Sequence, residues 1–343
     1  VMDSKRPLWG AFFYFIKYIW PVKIGVIGVG ALGGYYGGLL SIAGLDVHML
    51  LRNDFGIVRD RGLHIDSPKR RISLKPCVYD NPKSIGVCDL VLVCLKTTAN
   101  GQYMDLIAPM VGKQTTILCL QNGLGNYEKL GALFGDEKIM GGLCFVCLNR
   151  ISPGVIKHQG FGKIVIGEFT RAIDERALKI ISLFENSGIP CMFTDQLEEA
   201  LWEKLVWNIP FNGCGVAAAA GWDSMETGRL PGKICVPWAT DRLLCDPEWS
   251  DCVKQLMVEI IYAAKKRGII LRSGLANRMI DNTRAMGAYR ASTIVDFEKG
   301  NPIELESMFL EPLRQAKEVE ARTPKLEALC VVLKILASYL PRP

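Results

Sequence analysis

Histidine is scarce in this 343-residue chain: there are three, His48, His64 and His158. His48 falls inside a predicted strand, His64 in a connector and His158 in an extended run. None has an evident partner, so each reads as structural and imidazole-based acid–base chemistry is not expected. A membrane-spanning run is also lacking. The most apolar segment, within residues 8–20 (LWGAFFYFIKYIW), contains Lys17 and is shorter than the roughly 20 residues a span requires. Strand-like sequence begins directly after Pro21 with no small-residue cleavage site, which argues against a secretory signal. Residues 1–20 are therefore expected to be an extension packed on the protein or a partner, with interfacial membrane contact as the alternative. No block of Lys and Arg carries the net charge of +6, which is spread along the chain. That pattern suits small anions better than a nucleic-acid surface, and no nucleic-acid motif is present. Internal repeats and low-complexity segments are missing too.

Cysteine is plentiful, with twelve residues, but they are scattered through apolar runs where a reduced thiol acts as a small hydrophobe. The close pair Cys144 and Cys147 has no second pair or histidine at zinc-ligand spacing, so core packing is preferred and no metal is expected. A reducing, cytoplasmic location follows. Hydrophobic residues make up 49% and charged residues 22%, as in ordinary globular proteins, and the length suggests two domains.

From Val22 short buried strands alternate with amphipathic helices: VKIGVIG, a helix closed by Gly44, DVHMLL, then DLVLVCL and TTILCL. This is βαβ logic, so the fold class is α/β with a parallel sheet. From Gly141 to Phe169 two extended runs around Ser152-Pro153-Gly154 predict an antiparallel excursion at the sheet edge. A helix over 171–186 and a strand over 189–194 complete this half. After Asp195 helices take over, beginning with 196–220. The domains are accordingly 21–194 and 195–335. Asp246-Pro247-Glu248 opens a helix ending at Gly268, and Thr323-Pro324 opens the last one. Residues 221–245, rich in Gly, Pro and Trp, read as a surface loop or insertion.

Gly28-Val29-Gly30-Ala31-Leu32-Gly33 lies between a predicted strand and a predicted helix, the context in which a GxGxxG sequence signals dinucleotide binding rather than a bare glycine turn. The first glycine permits the turn, the second admits the pyrophosphate, and the third lets helix and strand pack closely. Gly34, Gly37 and Gly38 are assigned to packing. After the second strand stands Arg52, where a cofactor with a free ribose hydroxyl would want an acid, so a 2′-phosphate and NADP are favoured. Asp54 keeps NADH open. Lys96 follows the DLVLVCL strand, where ligands bind in open parallel sheets, although a solvated lysine would look the same.

Lys204, Asn208 and Asn212 recur at spacing four in an apolar helix that also contains Pro210. They form a buried polar stripe that a substrate, or the protein itself, must satisfy. With GVGALG, Lys96, Gln121-Asn122-Gly123-Leu124-Gly125, Trp202-Glu203-Lys204-Leu205, Ser292 to Asp296 and Gly300 to Glu304, the chain from Lys23 to about Leu329 resembles the ketopantoate reductases. The resemblance implies a Rossmann domain holding NADP and an all-helical domain like the C-terminal one of 6-phosphogluconate dehydrogenases. It implies a 2-oxo acid substrate, most readily ketopantoate, and allows a homodimer. It makes Lys204 the general acid and Glu304 the acidic site residue. Asn208, Asn212 and Ser292 then hold the substrate, and Asn122 sits near nicotinamide and substrate. Two departures stand out: Asn301 occupies the place of a family arginine, and the 221–245 connection is longer than usual. A dehydrogenase for another hydroxy acid and a non-catalytic NADPH sensor on the same fold remain the alternatives.

Overall fold

The computed structural model describes residues 22–68 and 70–340. The extension over residues 1–20 lies outside them. Among the described residues ten strands form one sheet: β1 (Lys23–Ile27), β2 (Asp46–Leu50), β3 (Leu63–Asp66), β4 (Arg71–Leu74), β5 (Cys77–Tyr79), β6 (Cys88–Val93), β7 (Val111–Cys119), β8 (Ile139–Ser152), β9 (Val155–Glu168) and β10 (Cys191–Phe193). Their order is β4-β3-β9-β8-β7-β6-β1-β2-β5, with β10 on β9. The stretch β5-β2-β1-β6-β7-β8 is parallel and follows the doubly wound nucleotide-binding order. Alternation along β6 explains why both faces are covered. Leu90 and Leu92 join the core that contains Tyr36 and Leu40 of the helix Ala31–Ile42, while Val91 and Val93 face Tyr103 and Ile107 on the other side. Each such side chain contributes about 1.5–3 kcal/mol on burial.

The β8–β9 hairpin turns at Pro153-Gly154 as expected, but it is not at an edge. β9 goes on to pair with β3 and β10. The reason lies around His64, which reads as part of a connector: Leu63–Asp66 and Arg71–Leu74 pair as the antiparallel strands β3 and β4. The sheet thus curls past the helix Ala31–Ile42. Gly37 of that helix lies against Val26 and Met49, whereas Gly34 and Gly38 lie against Ile156 of β9 and Ile65 of β3. Glycines on both helix faces allow strands to close on two sides, which is their packing role.

Beyond Phe193 the chain is helical. The long helix Leu197–Ala217 ends in a 3-10 turn, Ala218–Ala220, and lies against Pro247–Lys266. Asp246 caps that second helix by accepting from the amides of Glu248 and Trp249, both at 3.1 Å. The helix Glu175–Asn186 begins four residues later than expected because Asp174 caps it through the Ala177 amide. Residues 221–245 are not a plain surface loop. They contain the helices Trp222–Thr227 and Thr240–Cys245, and Met225, Leu243 and Leu244 join the helical core. Each helix is shorter than two full turns, too brief to show a period. Among the described residues no helix is long and apolar enough to cross a membrane.

Candidate active site

A cleft of about 1350 Å³ runs between the C-terminal ends of the parallel strands and the helical domain. Gly28, after β1, has φ +84, and a Cβ there would lie 2.5 Å from the Leu95 amide nitrogen. Gly33 is packed behind the cleft, where a Cβ would lie 2.5 Å from the Gly28 carbonyl. Gly30 differs: nothing lies within 4 Å of the position a Cβ would take. The space beside Gly30, at the amino end of the helix Ala31–Ile42, is a cradle that a side chain would fill and a pyrophosphate fits. Gly28, Gly30, Ala31 and Leu32 line the cleft, as does the exposed Arg52 beyond β2. Asp54 is also there, but its buried carboxylate is paired with the guanidinium of Arg150 from β8.

At the other end the helical domain meets the loops after β6 and β7. Lys204 reaches from the long helix to donate to Oδ1 of Asn122 at 2.8 Å. Burial lowers its affinity for a proton below that of an ordinary lysine, opposed by the Cys144 thiol and the Glu304 carboxylate. The Phe145 ring lies 5.6 Å away. Glu304, which is 4% exposed, accepts from the Thr97 amide at 2.8 Å and from Lys96 at 3.3 Å. Lys96 also donates to Asp296 at 2.7 Å. Burial would weaken the charge on Lys96, but the two carboxylates outweigh it and hold the ammonium above its ordinary range. For Asp296 burial raises the carboxyl, with Lys96 pulling it down.

Asn208 and Ser292 line the same cleft, and the amide of Asn208 has no protein partner among the described residues. Asn212 is committed elsewhere. Its nitrogen donates to the Asn208 carbonyl at 2.9 Å, and its oxygen accepts from the Thr293 amide at 2.9 Å and from Ser292 at 3.4 Å. The spacing of four did bring Lys204, Asn208 and Asn212 to one cleft. Pro210 lies inside a continuous helix. The three histidines lie away from the cleft and are partnered by Tyr79, Ser73 and Ser67 respectively. All twelve cysteines are unpaired.

Several site residues had little or no sequence signal of their own. Gln121 donates to the Leu95 carbonyl (3.0 Å) and to Asn100 (2.9 Å), fastening the loops that carry Lys96 and Asn122 together. Gly123, at φ +84, touches the backbone of Ser307, whose carbonyl accepts from the Leu124 amide at 2.9 Å. Asp296 follows Ser292 by four and so shares its helix face, a signal that was available. Thr97 and Arg150 had none, because their partners are distant in sequence.

The curled nucleotide-binding sheet, the open glycine cradle and the polar cleft roofed by helices define a two-domain oxidoreductase built to hold a nicotinamide dinucleotide. Residues 24–171 match the profile described as "Ketopantoate reductase PanE/ApbA", and residues 235–337 match its C-terminal counterpart. A 2-dehydropantoate 2-reductase of Nostoc sp. is 35% identical, covering 92% of this chain and 95% of its own. A crystal structure of 2-dehydropantoate 2-reductase from Geobacter metallireducens superposes with a TM-score of 0.84 at 38% identity, covering 92% and 99% of the two chains. A D-mandelate dehydrogenase in a ternary structure with NADH and anilino(oxo)acetate shares the fold, with a TM-score of 0.80 at 18% identity, covering 92% and 98%. The chain belongs to the ketopantoate reductase family.

Proposed function

We propose that the protein reduces 2-dehydropantoate (ketopantoate) to pantoate with NADPH, a step of pantothenate and coenzyme A biosynthesis. The observation that carries this reading is Lys204, a half-buried ammonium from the helical domain that crosses the cleft to Asn122. Gly28, Gly30, Ala31, Leu32 and Arg52 would hold the cofactor, which when bound supplies the hydride for the carbonyl carbon. Lys204 gives its proton to the oxygen that gains charge, and Asn122 aims the ammonium. Asn208 and Ser292 take the polar groups of the substrate. Asn212, its amide already committed, positions Ser292 and the start of the helix Ser292–Glu298. Glu304 fastens Lys96 and Thr97 to the helical domain and faces Lys204 with a negative charge. We place the division between the two domains at residues 194 and 195. Twelve unpaired cysteines agree with a reducing, cytoplasmic location.

A second reading, a bulkier 2-oxo acid, draws on the apolar wall formed by Trp207, Met279, Met286 and Tyr289 and on Asn301 in place of a cation. Oxidation of NADPH, followed by absorbance with ketopantoate and a panel of alkyl and aryl 2-oxo acids, separates the two. The highest kcat/KM is expected for ketopantoate. A higher value for an aryl 2-oxo acid establishes the second reading, and cofactor binding without turnover on any 2-oxo acid identifies a sensor.

A further inference from the structure

At the far end of the cleft from Lys204, Asp54 stands two residues after Arg52, close to where ribose is read in this fold. It does not serve as a ribose acceptor here. Its side chain is 9% exposed and paired with Arg150, whose side chain is 47% exposed. It stands at the N-cap of the helix Phe55–Arg61, but its side chain makes no capping hydrogen bond there. A buried carboxylate with a single cationic partner holds that partner firmly, because separating them leaves an unpaired buried charge. The pairing uses Nη1 of Arg150. Nε and Nη2 have no hydrogen-bond partner among the described residues, and Arg150 lines the cleft with Arg52. Lys299 of the helical domain donates to the Arg150 carbonyl at 3.1 Å and brings a third cation to this end. The carboxylates at this end are Asp54, already offset, the exposed Asp80, and Asp296, which feels Lys299 but is itself paired with Lys96.

We propose that Arg150 is a second arm of the site for the cofactor's 2′-phosphate, beside Arg52, and that Asp54 is the positioning residue that holds it. The inference rests on the NADPH reading. A rigid fork with unused donors suits a dianionic phosphate, and the pyrophosphate already has its place at Gly30. The pair makes an acid near the ribose compatible with NADPH, since that acid is spent on an arginine.

Titration calorimetry of the full chain with adenosine 2′,5′-bisphosphate and with AMP tests this without turnover. The wild type should bind the bisphosphate more tightly. Arg150→Gln should cut that preference by about tenfold or more, as expected for a lost charge-assisted hydrogen bond, with AMP affinity within about twofold of wild type. The double variant Asp54→Asn with Arg150→Gln leaves no unpaired buried carboxylate and should lose the preference to the same degree. Arg150→Lys should recover only part of it. A double variant that keeps the wild-type preference, or one that weakens both ligands equally, overturns the assignment of Arg150. A wild type with no preference for the bisphosphate overturns the NADPH reading instead.

Discussion

Lys204 carries its ammonium where burial disfavours charge, and a proton donor is useful in proportion to how readily it lets go. Burial lowers its proton affinity, and Asn122, an acceptor without charge, orients the group without restoring much of it. Because the protonated form would be the donor in the proposed reaction, turnover should be level at lower pH and fall as pH rises through the Lys204 pKa. A kcat–pH profile should bend below the ordinary lysine value of about 10.4; a bend at or above that value contradicts the desolvation argument. Arg52 offers a second test. Arg52→Asp should reduce the NADPH-over-NADH ratio of kcat/KM by about tenfold or more, since a carboxylate repels the phosphate and accepts from a free hydroxyl. An unchanged ratio removes Arg52 from the cofactor site. The stripe Lys204, Asn208, Asn212 was legible because four residues make one helical turn. That Asn212 serves Thr293, and that Lys96 is held by Asp296 and Glu304, was not, since those partners lie about 80 to 210 residues away.

Elements that declare themselves by local chemistry were read correctly: the Asp246 cap, the Gly44 and Gly268 termini, and the strand–glycine–helix turn. The β3–β4 hairpin and the interior position of β9 depend on pairing across the chain, which no local period reveals. Thr323 illustrates the difference. It precedes the helix Pro324–Ser338 as a cap should, yet the amides of Lys325 and Leu326 donate to Glu259 of a neighbouring helix, both at 2.9 Å. Glu259→Ala should therefore destabilise the protein by about 1–2 kcal/mol, measured by denaturant unfolding, where Thr323→Ala costs less. The glycine turn makes a sharper prediction. Gly28→Ala forces a side chain onto the Leu95 backbone at positive φ and should cost at least ~1–2 kcal/mol of stability. Gly30→Ala meets no protein atom, so it should melt as the wild type does while cofactor affinity falls. A normal cofactor affinity in Gly30→Ala would empty the cradle of its meaning.

At the scale of the molecule, the sheet half and the helical half lend residues to each other's cores, Leu197 to the one and Leu124 to the other, and touch where the proposed chemistry is placed. Glu304 meets the Thr97 amide, Ser307 meets Thr97 and the Leu124 amide, and Lys204 meets Asn122. A glycine is needed at 123 because the backbones come within side-chain reach of one another. In the proposed reaction the contacts that dock the domains are also the ones that set Lys204 against the dinucleotide site, which couples domain geometry to catalysis. The most direct test is single-turnover reduction of ketopantoate by NADPH-saturated Lys204→Ala beside wild type, with NADPH affinity measured separately. The account predicts unchanged cofactor affinity and a hydride-transfer rate lower by at least ~100-fold, the scale of a lost general acid. A rate close to wild type in the saturated variant would contradict it.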